Sequence, residues 1–369
     1  MKNFMHLFLR KETHRAIIKE IDGLRFIAIV AVVLSHFNLQ LIKLSPYETD
    51  FVYSNPTALF LELGGFGVRI FFCISAFILS IPFINHLLKN DETVSLKKYY
   101  ARRIKRLEIP YLLVLVILLL FRILIQGEFW KDELPHFFSS VFYGHNIIYD
   151  RRSTINPVAW TLEIEIQFYL LLPLLIKVFT IKNIFYRRLI IVLAIFTTAI
   201  IYIVFEDFFI AAHLQYSIVP YFPVFLLGIL FADIFLNKFS ILQKKNYAWD
   251  VLGIIGYLLI IYFAGYTIFY KICLELLGYV LLFTSVFKGI FLNKIFTKKI
   301  MMAIGGMCYT IYLIHYALIA FIMEHISTSL LQFNYYQDIV IQGLIVLPLV
   351  LIACSIFYLM IEKPLINKK

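Results

Sequence analysis

Charge is scarce in this sequence. Asp, Glu, Lys and Arg make up 15% of 369 residues, and acidic residues are the rarer kind, 23 against 34 basic ones. With 62% hydrophobic residues beside it, that fraction excludes a disordered chain and a solvated globular domain, whose apolar share is roughly 45–50%. Cysteine is also sparse. Cys73, Cys273, Cys308 and Cys354 each lie inside an apolar segment and lack metal-ligand spacing, so they read as small apolar side chains, with no disulfide framework and no metal site expected. No repeat of 20–50 residues is visible, which excludes a solenoid. The charged first twenty residues are followed by an apolar run without a small-residue cleavage site, so no removable signal peptide is expected.

What is present is apolar sequence in long runs, with a mean hydropathy of +0.85. Runs of about 20 residues give an all-α polytopic membrane protein of about ten transmembrane helices, at roughly 21–42, 57–84, 107–125, 160–179, 189–205, 215–236, 249–266, 270–291, 301–325 and 339–361. The expected organisation is a basic N-terminal segment (1–20), a ten-span membrane domain (21–361) and a short tail (362–369). A net charge of +11 would suit nucleic acid, but the basic residues lie in short loops between the runs. Alternate loops hold about 26 and 5 of them, which is membrane topology: both termini are expected in the cytoplasm, with membrane lipid as partner and no nucleic acid. The loop 126–159 stands out by size and mixes Trp130, His136, His145 and Arg151 with other polar groups. That mixture suits either a sugar surface or a solvated loop.

Five constellations can carry chemistry. Arg25 and His36 are eleven residues apart, which leaves about 20° beyond three helical turns and about 16 Å of axial rise, so they share one face. Ionisable groups inside a span are costly and read as functional. Asp22 is placed to pair with Arg25, and a neutral imidazole at His36 suits a general base; the alternative is a snorkelling Arg and a packing His. Arg103 and Arg106, i,i+3 at the head of the third span, present two guanidinium forks to a phosphate group, as on a coenzyme A thioester, or anchor the helix at lipid headgroups. Glu163 and Glu165 open the fourth span about 200° apart; Glu165 is the candidate for orienting His36 or an acceptor hydroxyl, while Glu163 fits an acidic first turn. The glycines of 64–67 allow close helix approach, with Glu62 and Arg69 placed to pair. His315 in the ninth span either lines the same cavity as His36 or packs through a hydrogen bond.

Taken together these segments resemble the acyltransferase-3 family of integral membrane O-acyltransferases, which modify bacterial surface glycans. Ile21-Asp22-Gly23-Leu24-Arg25 with His36 is similar to the family's opening motif, Gly67 to Phe72 with Ser75 to its second-span motif, and Arg103-Ile104-Lys105-Arg106 to its Arg-x-x-Arg element. Trp160-Thr161-Leu162 with Glu165 and Gln167-Phe168-Tyr169, then Tyr309, Tyr312, Leu313 and His315, then Glu362-Lys363-Pro364, resemble the remaining motifs in family order. Thr161 and Cys308 stand where Ser is usual, and Ala76 where Gly is common. None of these departures removes a titratable group.

The resemblance implies a multi-pass enzyme of the bacterial inner membrane that moves an acyl group, acetyl in the simplest case, from acetyl-CoA or another acyl-CoA to a hydroxyl of a polysaccharide of the O-antigen (lipopolysaccharide) or exopolysaccharide type. His36, Glu165 and Arg25 are its expected catalytic residues, and Arg103, Arg106 and Arg25 its donor contacts. Trp160, Asp22 and His315 are expected on the substrate side. His36 either deprotonates the acceptor or carries the acyl group transiently. Some relatives add a hydrolase-like domain after the membrane part; this sequence stops shortly after Glu362, so a stand-alone acyltransferase is expected. The rival class is a transporter of lipid-linked sugars, which would show a two-fold internal repeat with broken helices in both halves.

Overall fold

The computed structural model describes residues 7–9, 18–44, 51–89, 93–211, 214–242, 245–330 and 334–367. The basic residues Lys2, Arg10, Lys11, Arg15, Lys244, Lys368 and Lys369 lie outside them. The described residues form an all-α polytopic membrane protein in which eight helical segments are long and apolar enough to cross a membrane. The ten apolar runs fall largely on helix, but the second is interrupted by the 3₁₀ turn Gly64–Gly67 and the ninth is split at Met307 into Lys299–Gly306 and Cys308–Leu330. The two runs below crossing length are Ala248–Phe263, and Trp160–Leu175, which runs on as a 3₁₀ turn Ile176–Thr180. The chain divides into two compact units, residues 1–68 with 295–369, and residues 69–294.

The first unit is built around α1 (Lys19–Leu44). Packed on it are α2 (Pro56–Leu63), the 3₁₀ turn Gly64–Gly67, and two helices from the far end of the sequence, labelled below as they enter. Asn55 starts α2 by accepting the Thr57 and Ala58 amides, with Pro56 in the first turn, where its missing N–H costs nothing. The expected close approach at the glycines is found: a Cβ on Gly64 would lie 2.7 Å from the Ala31 carbonyl oxygen.

In the second unit α3 (Val68–Lys89) and α4 (Leu96–Leu124) are followed by α5 (Trp130–Val141) and α6 (His145–Tyr149). The loop 126–159 is therefore folded, and Glu133, Ser140, His145, Asn146 and Asn156 are buried in it. The unit continues with α7 (Trp160–Leu175), α8 (Ile184–Val204), α9 (Phe222–Leu242), α10 (Ala248–Phe263) and α11 (Phe269–Lys288). Gly265 at φ 83° breaks the chain between α10 and α11. These two pack closely because Gly256 and Gly278 face each other's carbonyl oxygens, 2.7 Å from where each Cβ would stand.

The first unit closes with α12 (Lys299–Gly306), α13 (Cys308–Leu330) and α14 (Tyr335–Phe357), started by an Asn334–Gln337 capping box. A π-helical segment, Tyr358–Glu362, follows. Asn38 of α1 ties three elements together, donating to the Ala58 carbonyl and accepting from the Tyr335 hydroxyl.

Candidate active site

On the buried first turn of α1, Arg25 Nη1 donates to Asp22 Oδ1 at 2.7 Å. This is the expected i,i+3 pair. Further along the helix, His36 Nδ1 lies 2.7 Å from Nε2 of His315 on α13, with ring centroids 5.0 Å apart. Tyr316 meets the His36 ring edge-on. His315 is fully buried, and its Nδ1 sits 2.9 Å from the carbonyl oxygens of both Ile311 and Tyr312. One turn back on α13, Thr310 donates to Glu362 at 2.5 Å, both side chains being fully buried. The π-helical segment carries Glu362, and such segments recur at functional sites.

Between Arg25 and His36, α1 borders a half-open apolar groove of about 150 Å³, lined by Ile29 and Val33 of α1, Ile304 of α12, Ile311 of α13, and Leu347 and Val350 of α14. Ile29 and Val33 continue the Arg25–His36 face at i,i+4 spacing. Ile311 lies one turn before His315.

The second unit gathers a different set of motif residues. Glu165 of α7 accepts hydrogen bonds from Ser75 of α3 and Tyr169, and Arg103 and Arg106 of α4 are its charged neighbours. Arg103 lies over the Tyr99 ring, and its buried Nε has no hydrogen-bond partner among the described residues. A guanidinium with a donor to spare, beside a single carboxylate, fits an anionic group such as a phosphate. Trp160 opens α7 against Tyr216 and Tyr221, and the Arg152 guanidinium lies 5.7 Å over its ring. Arg69 pairs with Glu275 at 2.8 Å, in place of the partner expected from Glu62.

The folded loop holds a chain of imidazoles. His136 Nδ1 is 3.0 Å from His145 Nε2, Arg151 Nη2 approaches His136 Nε2, and His145 Nδ1 faces the Arg151 carbonyl. Burial pushes the His145 pKa down to about 4, against the weaker upward effect of that carbonyl. Burial and the Arg151 charge lower that of His136. The Arg122 fork, bidentate at 2.8 and 2.7 Å, holds the Glu133 carboxyl below its ordinary value.

The expected residues thus sort by unit. Asp22, Arg25, His36 and His315 belong to the first, Arg103, Arg106, Trp160 and Glu165 to the second. Sequence reasoning missed the Ser75–Glu165 bond, the Thr310–Glu362 bond and the His136–His145 pair. Ser75 and Glu362 were visible as motif members, whereas the loop histidines carried no helical spacing to link them. Among the described residues no group of three or more His, Cys, Asp or Glu is arranged to hold a metal ion.

A family model described as an acyltransferase domain matches residues 18–359. The O-acetyltransferase OatA of Staphylococcus aureus (strain NCTC 8325 / PS 47) is 25% identical over 378 residues, covering 94% of this chain and 57% of that protein. The peptidoglycan O-acetyltransferase OatA of Listeria monocytogenes serovar 1/2a is 26% identical over 330 residues, covering 83% of this chain and 50% of its own length. The chain spans about half the length of these relatives. No solved structure matches it.

Proposed function

This chain belongs to the acyltransferase-domain family, and from that premise we propose that it is a membrane O-acyltransferase. The reaction we assign moves an acyl group, acetyl in the simplest case, from cytoplasmic acyl-coenzyme A to a hydroxyl of a cell-surface or lipid-linked polysaccharide, at the bacterial inner membrane. The observation that carries this reading is the His36 imidazole, held at Nδ1 by a second imidazole within an apolar helical unit. An oriented imidazole at that depth is a general base in waiting.

In this reading His36 Nε2 takes the proton of the acceptor hydroxyl as the oxygen attacks the thioester carbonyl carbon. The C–O bond forms, the C–S bond breaks, and the thiolate leaves with the proton returned from His36. Ester and free thiol result, with His36 restored. Arg25, aimed by Asp22, is the anion-binding residue of the first unit, and the Arg103–Arg106 pair is that of the second. The half-open apolar groove beside Ile29 and Val33 suits the uncharged part of the donor arm. Glu165 orients a hydroxyl, and the Trp160 ring under Arg152 offers a sugar an aromatic face.

Mass spectrometry of surface glycan from cells carrying the wild-type chain or His36→Ala tests the reading. General-base removal costs about 10²–10⁴-fold, so the variant should leave acyl content at background. Unchanged acylation at normal protein level would reject it. Binding of labelled acetyl-coenzyme A should weaken at least about tenfold in Arg103→Ala/Arg106→Ala, the equivalent of about 1.4 kcal/mol. Undiminished binding would return both residues to a lipid-anchoring role.

A further inference from the structure

A histidine placed between carbonyls and another imidazole has little freedom over where its proton sits. Carbonyl oxygens only accept, so the Nδ1 of His315, 2.9 Å from those of Ile311 and Tyr312, is the protonated nitrogen. In the neutral ring Nε2 then carries the lone pair. His36 Nδ1, 2.7 Å away, meets that lone pair and is therefore the donor. The consequence falls on the far side of the His36 ring, where Nε2 is left as the basic nitrogen. The backbone of α13 thus dictates, through two imidazoles in series, which His36 nitrogen accepts a proton.

We propose that His315 is a positioning residue that holds His36 in the tautomer with a basic Nε2 and does not itself contact substrate. This rests on the reading of His36 as general base. Burial supports it: His315 is fully buried, whereas His36 is half-buried. When His36 takes up a proton at Nε2, the bond to His315 becomes charge-assisted and so strengthens at the moment the imidazolium forms. A carboxylate in this position, as in hydrolytic triads, sets the tautomer in the same manner. Here a neutral imidazole does so without bringing a second charge into the membrane.

Two substitutions separate positioning from packing. His315→Leu fills the space but removes the acceptor. His315→Gln places an amide oxygen near the lost Nε2, where it accepts from His36 Nδ1–H but cannot act as an acid or base. Expected values are a fall in kcat of about 100-fold for Leu with KM for the donor within about twofold, and recovery by Gln to within about tenfold of wild type. The rise of kcat with pH, which follows deprotonation of His36, should persist in Gln and flatten in Leu. Equal loss in both variants would overturn the proposal.

A tautomer measurement on the ¹⁵N-histidine-labelled full chain in micelles decides the matter independently of activity. His36, assigned by comparison with His36→Ala, should show a protonated Nδ1 and a bare Nε2 in the wild type and in His315→Gln, and the reverse in His315→Leu. A protonated Nε2 in the wild type would overturn the proposal whatever the activity. A wild-type chain with the expected tautomer but no acyl transfer would instead sink the enzymatic reading and leave the tautomer assignment standing.

Discussion

His145 sits with no exposed surface in the folded loop, facing His136, the Tyr149 ring and the Arg151 carbonyl, with the Arg151 charge beyond. Its pKa of about 4 lies below the ordinary 6.5. Between those values an unfolded loop binds a proton that the folded loop refuses, so stability falls as pH drops through that window and is unaffected above it. Hydrogen exchange of amides 130–150, corrected for intrinsic rates, should therefore accelerate from pH 6.5 to 4 in the wild type. In His145→Gln the acceleration should be smaller, the remainder coming from His136 and Glu133, whose pKa values are also lowered; equal acceleration in both would assign the effect elsewhere. At this scale the sequence was partly legible. The Asp22–Arg25 pair follows from i,i+3 spacing, because both partners share one helix. The His36–His315 bond spans 279 positions, and no spacing rule reaches that far. Glu165 stood out as an intramembrane carboxylate, yet its bond to Ser75 on another helix did not follow from either residue alone.

At the scale of elements, α1 depends on helices that come almost within backbone contact of it. A Cβ on Gly305 of α12 would overlap the Asp22 carbonyl oxygen, which cannot swing away as a side chain can. Gly343 of α14 differs: the nearest atom to its would-be Cβ is Phe37 Cε1 at 3.7 Å, an ordinary contact. Gly305→Ala should accordingly lower thermal stability in detergent by about 1–3 kcal/mol through forced separation of α12 from α1. Gly343→Ala should be neutral, or stabilising by about 0.5–1 kcal/mol through helix propensity. Equal shifts in both would show that propensity, not approach, governs the pair. Because Asp22 lies at the Gly305 contact, the first variant should also loosen the Asp22–Arg25 turn.

The Gly64–Gly67 turn was legible as a close approach, since clustered glycines inside an apolar run have few other uses. Gly305 was not, although it stands beside Gly306, because the pair is read as the opening of the polar motif that follows it. The fourth apolar run extends four residues beyond the regular helix, because hydropathy continues through the 3₁₀ turn where the α hydrogen bonding stops. The π-helical Tyr358–Glu362 left no mark in the pattern of apolar residues, although the polar Glu362 beside Lys363 and Pro364 marked the place. Thr310→Val should test that element: it strips the buried Glu362 carboxyl of a 2.5 Å donor and should cost about 1–3 kcal/mol in the same unfolding measurement. No change in stability would mean that other groups already satisfy the carboxyl.

For the whole molecule, the sidedness of the basic residues is the property on which the donor assignment turns. Not every cation in the 26 against 5 is a topology signal. Arg187 is buried and pairs with Asp233 at 2.7 Å, and Arg188 pairs with the other oxygen of the same carboxylate. Both are structural ion pairs inside the second unit. Removing these two still leaves 24 against 5, so the bias survives the correction, and from it we propose that the C-terminus and the head of α4 are cytoplasmic. A green fluorescent fusion at the C-terminus should fluoresce, and an alkaline phosphatase fusion there should be inactive. Lys131→Cys, in the 126–159 loop, should react with a membrane-impermeant maleimide added to intact cells. The opposite pattern would do more than invert a diagram. Arg103 and Arg106 lie in the first turns of α4, and acyl-coenzyme A is a cytoplasmic molecule. An active phosphatase at the C-terminus would therefore remove these two arginines from any donor site, even if acetylation by the intact chain were demonstrated.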